Sequence, residues 1–577
     1  MAQISKTAAG LEQVDDRVTL DEVRSYDFAY RDFDHSSIPF EKEEWPAIIL
    51  GSSLVGTLMG LLLGYHGIKT IAFDRHRAIL AHPRAAGLSF STVETLRQLG
   101  LEERCHGANF RKVNLDAGLI IVDKLYKGIV KQVVQDHDVE RDQEITPTKW
   151  LWVTQPILEP IMQDVAPKIG FNLEFGKEVV HYEEHDDGVI VIVKDLDTGS
   201  FKKYKTQYLV ACDGNRSPTR KKEGIKMKGA GILGNGLSIR FRGDLQELLG
   251  ERAKHGIIYV RGDGIKGGFR QEEQGKGGLL WVNEIDGKTD FPPGSLSDEE
   301  VKQRLHQFAG VPDDGTLDVQ SYAHWTLASC TADRFQSKGG RVLIAGDAAH
   351  IMPPTGALGG NTGCGDARNL AWKLAYVISG KADPSLLRSY DLERRPIDAF
   401  VVDQATRRLY NRVKGRTPRL EEEPYYIAEL GHRYNEGAIV PAEGDVHDKD
   451  VEDPHAPSGT AGSRFPHAWL LTPEGKTISS LDLIKTNFVL IASEDDSPWI
   501  SAAKSLNFPI DTYELHEKSK PYQDTKGTMK SKAGLGEGEA FFVRPDGYIA
   551  WKAAKSASGH RKALQEVIQA LLGKQQD

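Results

Sequence analysis

The sequence is poor in cysteine and has no excess of basic residues. Its 577 residues include four cysteines, and no two of them form a Cys-x-x-Cys pair. This spacing argues against a disulfide framework or a zinc site and is typical of a protein from a reducing compartment. The formal net charge is -9 at pH 7. A protein that binds nucleic-acid phosphates usually shows a basic excess, so we expect no nucleic-acid partner.

Long uncharged runs are also scarce, and a prominent one lies at residues 45–65, where no Asp, Glu, Lys or Arg occurs. A membrane span needs about 20 such residues. This run contains several glycines and a serine pair, and a β-rich stretch ending at Asp74 follows it. We therefore predict a buried strand, a turn and a buried helix. The run begins too late, after the acidic EKEEW, for a signal peptide, and we expect a cytoplasmic protein without a membrane span.

The turn inside this run is similar to a GxGxxG loop. Gly51 and Gly56 occupy the first and third glycine positions of GSSLVG, and Ser53 replaces the second. A tight turn that leads into a helix presents free N–H groups and a positive dipole end to a diphosphate. Asp74, at the end of the next strand, is expected to bind ribose hydroxyls. On these residues alone, a nucleotide loop and a packing joint without a ligand both stay open.

Two later stretches repeat this pattern of small residues and an acid after an apolar strand. The first, YLVACDGNRSPTR, contains Asp213 and Gly214. The second, GRVLIAGDAAHIMPPTGALGGNTGCGDARNLAWKLA, contains Asp347 and a glycine-rich loop before a predicted helix. The N-terminus of that helix would stabilise negative charge on a reduced ring.

With these three motifs in this order, the chain resembles the class A FAD-dependent aromatic hydroxylases of the p-hydroxybenzoate hydroxylase fold. It is most similar to the branch of phenol hydroxylase, 2-hydroxybiphenyl monooxygenase and polyketide-tailoring hydroxylases. The resemblance covers about residues 45–410, and the C-terminal FFVRPDGYIAWK resembles the thioredoxin-like tail domain of this branch. It implies an α/β fold in which a Rossmann-like FAD-binding domain is interleaved with an antiparallel-sheet substrate domain and followed by a thioredoxin-like domain.

The resemblance and the composition of the chain together predict six segments. These are an N-terminal extension at 1–44, the first part of the FAD-binding domain at 45–225, the substrate-binding sheet domain at 226–325, the return of the FAD-binding domain with its helices at 326–442, a Pro-, Gly- and Ser-rich linker at 443–466, and a thioredoxin-like domain without redox cysteines at 467–577.

The resemblance implies FAD as cofactor and NADPH or NADH as co-substrate. The residues expected to contact FAD are Gly51, Ser53, Gly56, Asp74, Arg75, Arg84, Gln155, Asp213, Gly214, Gly346, Asp347, Pro354, Gly359, Gly360 and Asn361. Among them, Gly359, Gly360 and Asn361 would line the pyrimidine edge of the ring, and Pro354 would offer its carbonyl near the point of oxygen transfer. Because serine is small, we expect Ser53 to weaken FAD binding without abolishing it.

The implied activity is hydroxylation of a phenolic substrate by NAD(P)H and O2 through a flavin hydroperoxide. Many relatives place a base near the substrate hydroxyl, but here Ala86 stands where the biphenyl-type branch has a histidine. Either the substrate ionises easily, or another residue such as His324 or Tyr259 serves. Two alternatives stay open: a polyketide-tailoring monooxygenase that hydroxylates, dearomatises or performs Baeyer–Villiger oxidation, and a non-catalytic FAD-binding relative. The expected partners are a small aromatic substrate, O2 and a second copy of the chain.

Overall fold

The structure is a computed structural model. It describes residues 4–6, 12–14, 30, 34–79, 86–108, 117–134, 138–262, 264–273, 276–292, 295–313, 315–445, 448–493, 497–516, 522–555 and 559–573. Arg84, one of the predicted cofactor residues, lies outside the described residues.

The strands and helices follow one another along the whole chain. The described strands are β1 Ile4–Lys6, β2 Glu12–Val14, β3 Trp45–Leu50, β4 Thr70–Asp74, β5 Gly87–Leu88, β6 Leu119–Val122, β7 Val130–Val134, β8 Leu151–Trp152, β9 Phe171–Phe175, β10 Lys177–His185, β11 Gly188–Asp195, β12 Phe201–Ala211, β13 Met227–Arg242, β14 Ile257–Gly262, β15 Ile265–Glu273, β16 Gly277–Ile285, β17 Asp318–Ala332, β18 Val342–Ile344, β19 His350–Ile351, β20 Trp469–Leu471, β21 Thr477–Ser479, β22 Phe488–Ala492, β23 Ile510–His516, β24 Tyr522–Asp524, β25 Ala540–Val543 and β26 Ile549–Ala553. The described α-helices are α1 Leu54–Tyr65, α2 Phe90–Gln98, α3 Glu102–Gly107, α4 Val139–Asp142, α5 Gln155–Val165, α6 Pro218–Lys222, α7 Leu245–Leu249, α8 Asp298–Ala309, α9 Leu358–Ile378, α10 Arg388–Arg408, α11 Tyr425–Leu430, α12 Pro498–Lys504, α13 Thr528–Ser531 and α14 His560–Leu572.

The first sheet is mainly parallel and forms the predicted Rossmann-like part. Its order is β10-β11-β12-β3-β4-β9, and β18 pairs with the C-terminal half of β12. Strands β18, β12, β3, β4 and β9 are parallel, whereas β10, β11 and β12 form an antiparallel meander. Helices cover both faces of such parallel strands, so their residues are apolar without alternation.

The apolar run at 45–65 is strand β3, a turn and helix α1, as predicted. The helix glycines allow close packing: a Cβ at Gly60 would lie 2.4 Å from the Phe171 ring, and one at Gly64 would lie 2.6 Å from the Ile169 carbonyl. These contacts bring α1 against β9. Across the described part of the chain, no helix combines the length and the apolar character needed to cross a membrane.

The second sheet has the order β19-β17-β13-β16-β15-β14-β6-β7 and is antiparallel except where β14 pairs with β6. One face packs on helix α8, and the other carries Tyr259 and Trp281. Two of its glycines lie under aromatic rings: a Cβ at Gly236 would lie 2.8 Å from Trp325, and one at Gly268 would lie 2.1 Å from Trp281. The glycines of this sheet therefore make room for large aromatic side chains.

The second sheet extends beyond the boundaries predicted for it. Strands β6 and β7 come from residues 119–134, which the prediction placed in the FAD-binding part, and β17 continues to Ala332. The sheet gains these strands through tertiary pairing between segments far apart in sequence, which local patterns do not show.

The third sheet contains the C-terminal strands in the order β21-β20-β24-β23-β22-β25-β26. Strands β22 and β23 are parallel, and β25 is antiparallel to both β22 and β26. The thioredoxin-like assignment of this domain stays a prediction. The linker predicted before it is partly buried, since Ser463 and Phe465 have no exposed surface. Its Pro, Gly and Ser residues indicate turns, and turns can be packed.

Buried ion pairs join the C-terminal domain to the helices of the first domain. Both Glu393 oxygens accept hydrogen bonds from the Arg544 guanidinium, at 2.8 and 2.7 Å, and Lys373 Nζ donates to the same carboxylate at 2.7 Å. All three side chains are fully buried. A second contact pairs Arg97 with Asp482 through two hydrogen bonds. The C-terminal domain is therefore fixed on helices α9 and α10.

Replacement of Glu393 by alanine is expected to destabilise the protein strongly. The change leaves Lys373 and Arg544 buried without their shared carboxylate, and loss of one partner of a buried ion pair costs about 3–5 kcal/mol. Urea unfolding followed by tryptophan fluorescence measures this loss. Glu566→Ala is a matched control because its pair with Lys562 is exposed, and it should change the unfolding free energy by about 0.5 kcal/mol or less. Equal stability of the two variants would contradict this role for Glu393.

Candidate active site

Three loops meet at the carboxyl edge of the first sheet, directly after strands β3, β12 and β18. Ala211 pairs with Leu50 on one side and with Ile344 on the other, so the residues that follow these strands are neighbours. These loops contain Gly51, Asp213 and Gly346, which belong to the three sequence motifs. In open α/β sheets, ligands bind in the crevice outside this edge.

The glycines of these loops are required by close backbone contacts. Gly51 has φ +83°, and a Cβ there would lie 2.5 Å from the Cys212 carbonyl oxygen. A Cβ at Gly56 would lie 1.9 Å from the Gly51 carbonyl oxygen. Gly346 has φ +63° and packs on Val55 of helix α1. The motifs thus lock the three loops together, and Gly214 (φ +81°) continues the second loop.

Asp74 holds the first turn from the next strand. Its Oδ2 accepts hydrogen bonds from the Ser52 backbone N–H at 2.9 Å and the Ser52 hydroxyl at 3.0 Å. Its Oδ1 accepts from the His76 backbone N–H at 2.9 Å. Arg75 lies exposed beside it. The carboxylate is thus preorganised at the edge of the cleft by the turn itself.

Ser53 takes part in a polar contact that the sequence did not predict. Gln155 Nε2 donates to the Ser53 hydroxyl at 3.0 Å and to Glu159 Oε1 at 3.1 Å. Ser53 Oγ lies 3.5 Å from the same Glu159 oxygen. Burial raises the pKa of Glu159 to about 7. A largely buried carboxyl group therefore lies beside the N-terminus of helix α1, and Gln155 connects it to Ser53.

The Asp213 carboxylate is only partly used by the protein. Its Oδ2 accepts a hydrogen bond from the Thr219 backbone N–H at 3.2 Å, at the start of helix α6. Its Oδ1 is buried without a hydrogen-bond partner among the described residues. Burial raises the pKa of this carboxyl group. Such an orphaned oxygen is what a hydroxyl-bearing ligand can satisfy.

A buried ion cluster holds the third loop. Asp366 of helix α9 accepts hydrogen bonds from the Gly346 backbone N–H and from His350 Nε2, both at 2.9 Å. Arg394 donates to Asp366 at 3.0 Å and to Asp398 at 2.6 Å. Burial alone would lower the pKa of His350, but the Asp366 and Asp398 carboxylates outweigh it and raise that pKa to about 9. Two cations and two carboxyl groups thus fix the turn that presents exposed Asp347.

The start of helix α9 packs on the third loop, since a Cβ at Gly363 would lie 3.0 Å from the Gly346 Cα. Asn361 Oδ1 accepts from the Ser89 backbone N–H at 3.0 Å and from the Thr92 hydroxyl at 2.8 Å. Its Nδ2 donates to the carbonyls of Gly87 and Ala357. The Asn361 side chain thus holds the helix start on strand β5 and is not free for a ligand. The backbone N–H groups of the first helical turn, including those of Gly359 and Gly360, are the polar groups that remain for a ligand.

The predicted carbonyl of Pro354 is also engaged within the loop. It accepts a hydrogen bond from the Ala357 backbone N–H at 3.1 Å, and the exposed proline ring marks a tight turn. A carbonyl oxygen has a second lone pair and can accept another hydrogen bond. Thr355 donates to the Ala405 carbonyl at 2.6 Å and holds the loop on helix α10.

The two alternative bases differ in position. His324 pairs across the second sheet with Leu237, which belongs to the face packed on helix α8, and its Nδ1 lies 2.8 Å from the Phe291 carbonyl. The His324 side chain therefore points away from the face that carries Tyr259 and Trp281. Tyr259 is on that other face, but it is buried and packs edge-on against Trp281 at 5.9 Å.

Glu159 and the His350 cluster are the main features that the motifs did not reveal. A signal for Glu159 was present, because it follows Gln155 by four residues in a helical segment and therefore shares its face. His350 and Asp366 also lie within a quoted motif, but only the fold shows that they are in contact. Arg394 and Asp398 come from helix α10 and carry no local signal.

Comparison with known proteins identifies the family. Residues 44–405 match the family model described as an FAD binding domain, and residues 458–575 match that of the aromatic-ring hydroxylase C-terminal region. The chain belongs to the FAD-dependent aromatic-ring hydroxylases. The predicted resemblance and the FAD cofactor are thereby confirmed, and reduction by NAD(P)H is general for this family.

Individual members of the family are similar over nearly the whole chain. A 4-methyl-5-nitrocatechol 5-monooxygenase from Burkholderia sp is 35% identical, over 92% of this chain and 98% of its own. A tetracenomycin B2 monooxygenase-dioxygenase from Streptomyces olivaceus is 31% identical, over 92% of this chain and 100% of its own. The crystal structure of aklavinone-11 hydroxylase with FAD and aklavinone has a TM-score of 0.85 at 28% identity, over 93% and 100% of the two chains. This aromatic-ring hydroxylase is thus an FAD-dependent oxidoreductase rather than a non-catalytic relative.

The raised pKa of Glu159 predicts a dependence of stability on pH in this aromatic-ring hydroxylase. The ordinary pKa of 4.5 rises to about 7 on folding, so the folded state holds the proton more tightly. The resulting stabilisation is complete below about pH 4.5 and is lost as the pH rises to about 7, a change of roughly 3 kcal/mol.

Glu159→Gln removes this titration, since the amide stays neutral. The difference in unfolding free energy between the variant and the wild type should therefore shift in favour of the variant by roughly 3 kcal/mol between pH 4.5 and 7. Urea denaturation of the FAD-free protein at each pH measures it. A difference that does not vary with pH would contradict the raised pKa.

Proposed function

We propose that this aromatic-ring hydroxylase hydroxylates an acidic phenol or catechol with dioxygen, using NADPH or NADH as reductant. The observation that carries the proposal is the meeting of the three motifs at one edge of the first sheet, combined with an alanine at position 86, where the biphenyl-type branch has a histidine. Ala86 is buried at that position, and no ionisable residue occurs from Ala86 to Val93. A substrate that ionises by itself needs no base from the protein.

The described residues fit FAD. The exposed Ser53 and the start of helix α1, which has no side-chain cap and no acidic residue in its first turn, suit a diphosphate. Asp74 suits the adenosine ribose, and Asp347 and the orphaned Asp213 oxygen suit hydroxyl groups of the ribityl side. The first turn of helix α9 suits the negative end of the ring. FAD, when bound, supplies the redox chemistry, and these residues bind and orient it.

The positions of His324 and Tyr259, the two other bases considered from the sequence, support an acidic substrate. His324 faces away from the aromatic face of the second sheet, and Tyr259 is held by packing in that face. A phenolate is a far stronger nucleophile than a phenol, so a substrate of low pKa is activated without proton transfer to the protein. The relative from Burkholderia sp is named for a nitrocatechol, and a nitro group lowers the pKa of a catechol.

A panel of matched substrates tests the proposal. 4-Nitrocatechol is far more acidic than catechol, although its nitro group also makes the ring less electron-rich. We expect ionisation to dominate at pH 7, so that kcat/KM for the nitro compound is at least about tenfold higher. NADPH consumption and hydroxylated product are measured together, because consumption alone includes uncoupled turnover. Fully coupled turnover of catechol at pH 7 with a kcat/KM equal to or above that of the nitro compound would contradict the proposal.

A larger polyketide substrate is the second candidate, favoured by the TM-score of 0.85 with aklavinone-11 hydroxylase. Polycyclic hydroxyquinones added to the same panel decide between the two, with product mass separating hydroxylation from Baeyer–Villiger insertion. The family resemblance supports a homodimer. The four free cysteines support a cytoplasmic location.

Ser53→Gly is expected to tighten FAD binding several-fold. The glycine restores the close approach of the turn to a diphosphate, and it releases the Gln155 amide, whose N–H can then donate to a phosphate oxygen. Fluorescence titration of the FAD-free protein measures the dissociation constant. Ser53→Ala, which also releases Gln155 but keeps a Cβ, is the matched comparison. Weaker binding in both variants would instead identify the serine hydroxyl as a phosphate ligand.

A further inference from the structure

A histidine-rich cluster lies outside the three sequence motifs and is not used by the proposed cofactor site. His181, Glu183 and His185 alternate along strand β10, so their side chains share one face of the strand. His35 comes from the segment before β3 and reaches the same carboxylate. The cluster therefore joins two segments that are about 150 residues apart in the chain.

The atoms of this cluster are spaced like metal ligands. His35 Nε2 lies 3.0 Å and His181 Nε2 lies 3.4 Å from Glu183 Oε1, and one ligand atom from each of the three residues lies within 4.8 Å of the others. Tetrahedral coordination with bonds of about 2.1 Å separates neighbouring ligand atoms by roughly 3.4 Å. His185 Nε2 lies 3.4 Å from the other Glu183 oxygen, Oε2, and falls outside the group of three close ligand atoms.

Burial and access also suit a metal ion. The side chains of His35 and His181 are 14% and 9% exposed, which holds their rings in place, whereas Glu183 and His185 are 39% and 48% exposed and leave a path for entry. The buried group of His350, Asp366 and Asp398 has similar spacing, but Arg394 already neutralises its carboxylates and no side chain there reaches solvent.

We propose that His35, His181 and Glu183 form a binding site for a divalent transition metal of the zinc type, with water as the remaining ligand. Imidazole and carboxylate ligands in this number suit zinc. The cysteine count argued against a zinc site, but these ligands include no cysteine.

Such an ion would fasten the segment at residues 34–44 to the first sheet. This segment already contacts β12, because the Glu41 backbone N–H donates to the Lys203 carbonyl at 2.7 Å and Lys203 lies over the Phe40 ring. His35 adds the contact with β10. A metal bond from His35 would hold the other end of this segment on β10. The peptide bonds within the segment should then be cleaved more slowly by proteases.

Metal analysis of the FAD-loaded, untagged protein tests the site. After dialysis against EDTA and reloading with zinc chloride, wild type is expected to hold one equivalent of zinc, and cobalt should give the absorption bands of a tetrahedral site. His181→Ala and Glu183→Gln should each weaken zinc binding tenfold or more. His106→Ala is the matched control, since His106 is a half-exposed histidine 3.7 Å from Glu102 and outside the cluster.

Two outcomes overturn the proposal: wild type that holds no stoichiometric zinc at micromolar free metal, or His181→Ala that binds zinc as tightly as wild type. Limited proteolysis gives a second readout, since zinc should slow cleavage within residues 36–44 in wild type but not in His181→Ala. Unchanged cleavage on zinc addition overturns the fastening role. Flavin absorbance should be the same in all variants, so a failure of this site is distinguishable from a failure of the proposed activity.

Discussion

Helix α9 is buried along nearly its whole length, so each charged side chain on its inner faces must be neutralised within the protein. Asp366 meets His350 and Arg394, and Lys373 meets Glu393. The first of these pairs also holds the Gly346 turn, and the second recruits Arg544 of the C-terminal domain. One helix therefore connects the cofactor edge, the following helix and the C-terminal domain through ion pairs that are costly to break singly.

The first turn of the cofactor edge shows how a glycine loop tolerates a serine. Ser53 is exposed, and its hydroxyl accepts a hydrogen bond from Gln155, which also donates to Glu159. An ionised Glu159 would repel a diphosphate at the same helix end, but its raised pKa keeps much of it protonated near neutral pH. Serine at position 53 is thus linked through Gln155 to Glu159, a contact that a glycine at this position could not make.

The two faces of the second sheet differ in what packs against them. One face packs apolar residues on helix α8, while the other carries aromatic rings whose space is provided by Gly236 and Gly268. The rings of this second face pack with Leu409 and Val413, and His324 lies on the opposite face. The proposed activation of the substrate by its own acidity is consistent with that arrangement and with Ala86.

Local sequence determined the strand–turn–helix at 45–65, the three glycine motifs and the family, because tight turns and buried parallel strands leave strong short-range patterns. It also predicted the residues of the cofactor edge, which stay a prediction; the three motifs meet at one edge of the first sheet, and Arg84 lies outside the described residues. Only the tertiary structure decided that Asn361 and Pro354 bind within the protein, that Glu159 lies beside Ser53, that β6 and β7 join the second sheet, and that His35 meets His181. These contacts join segments far apart in the chain, and their energies depend on burial, which a local pattern does not contain.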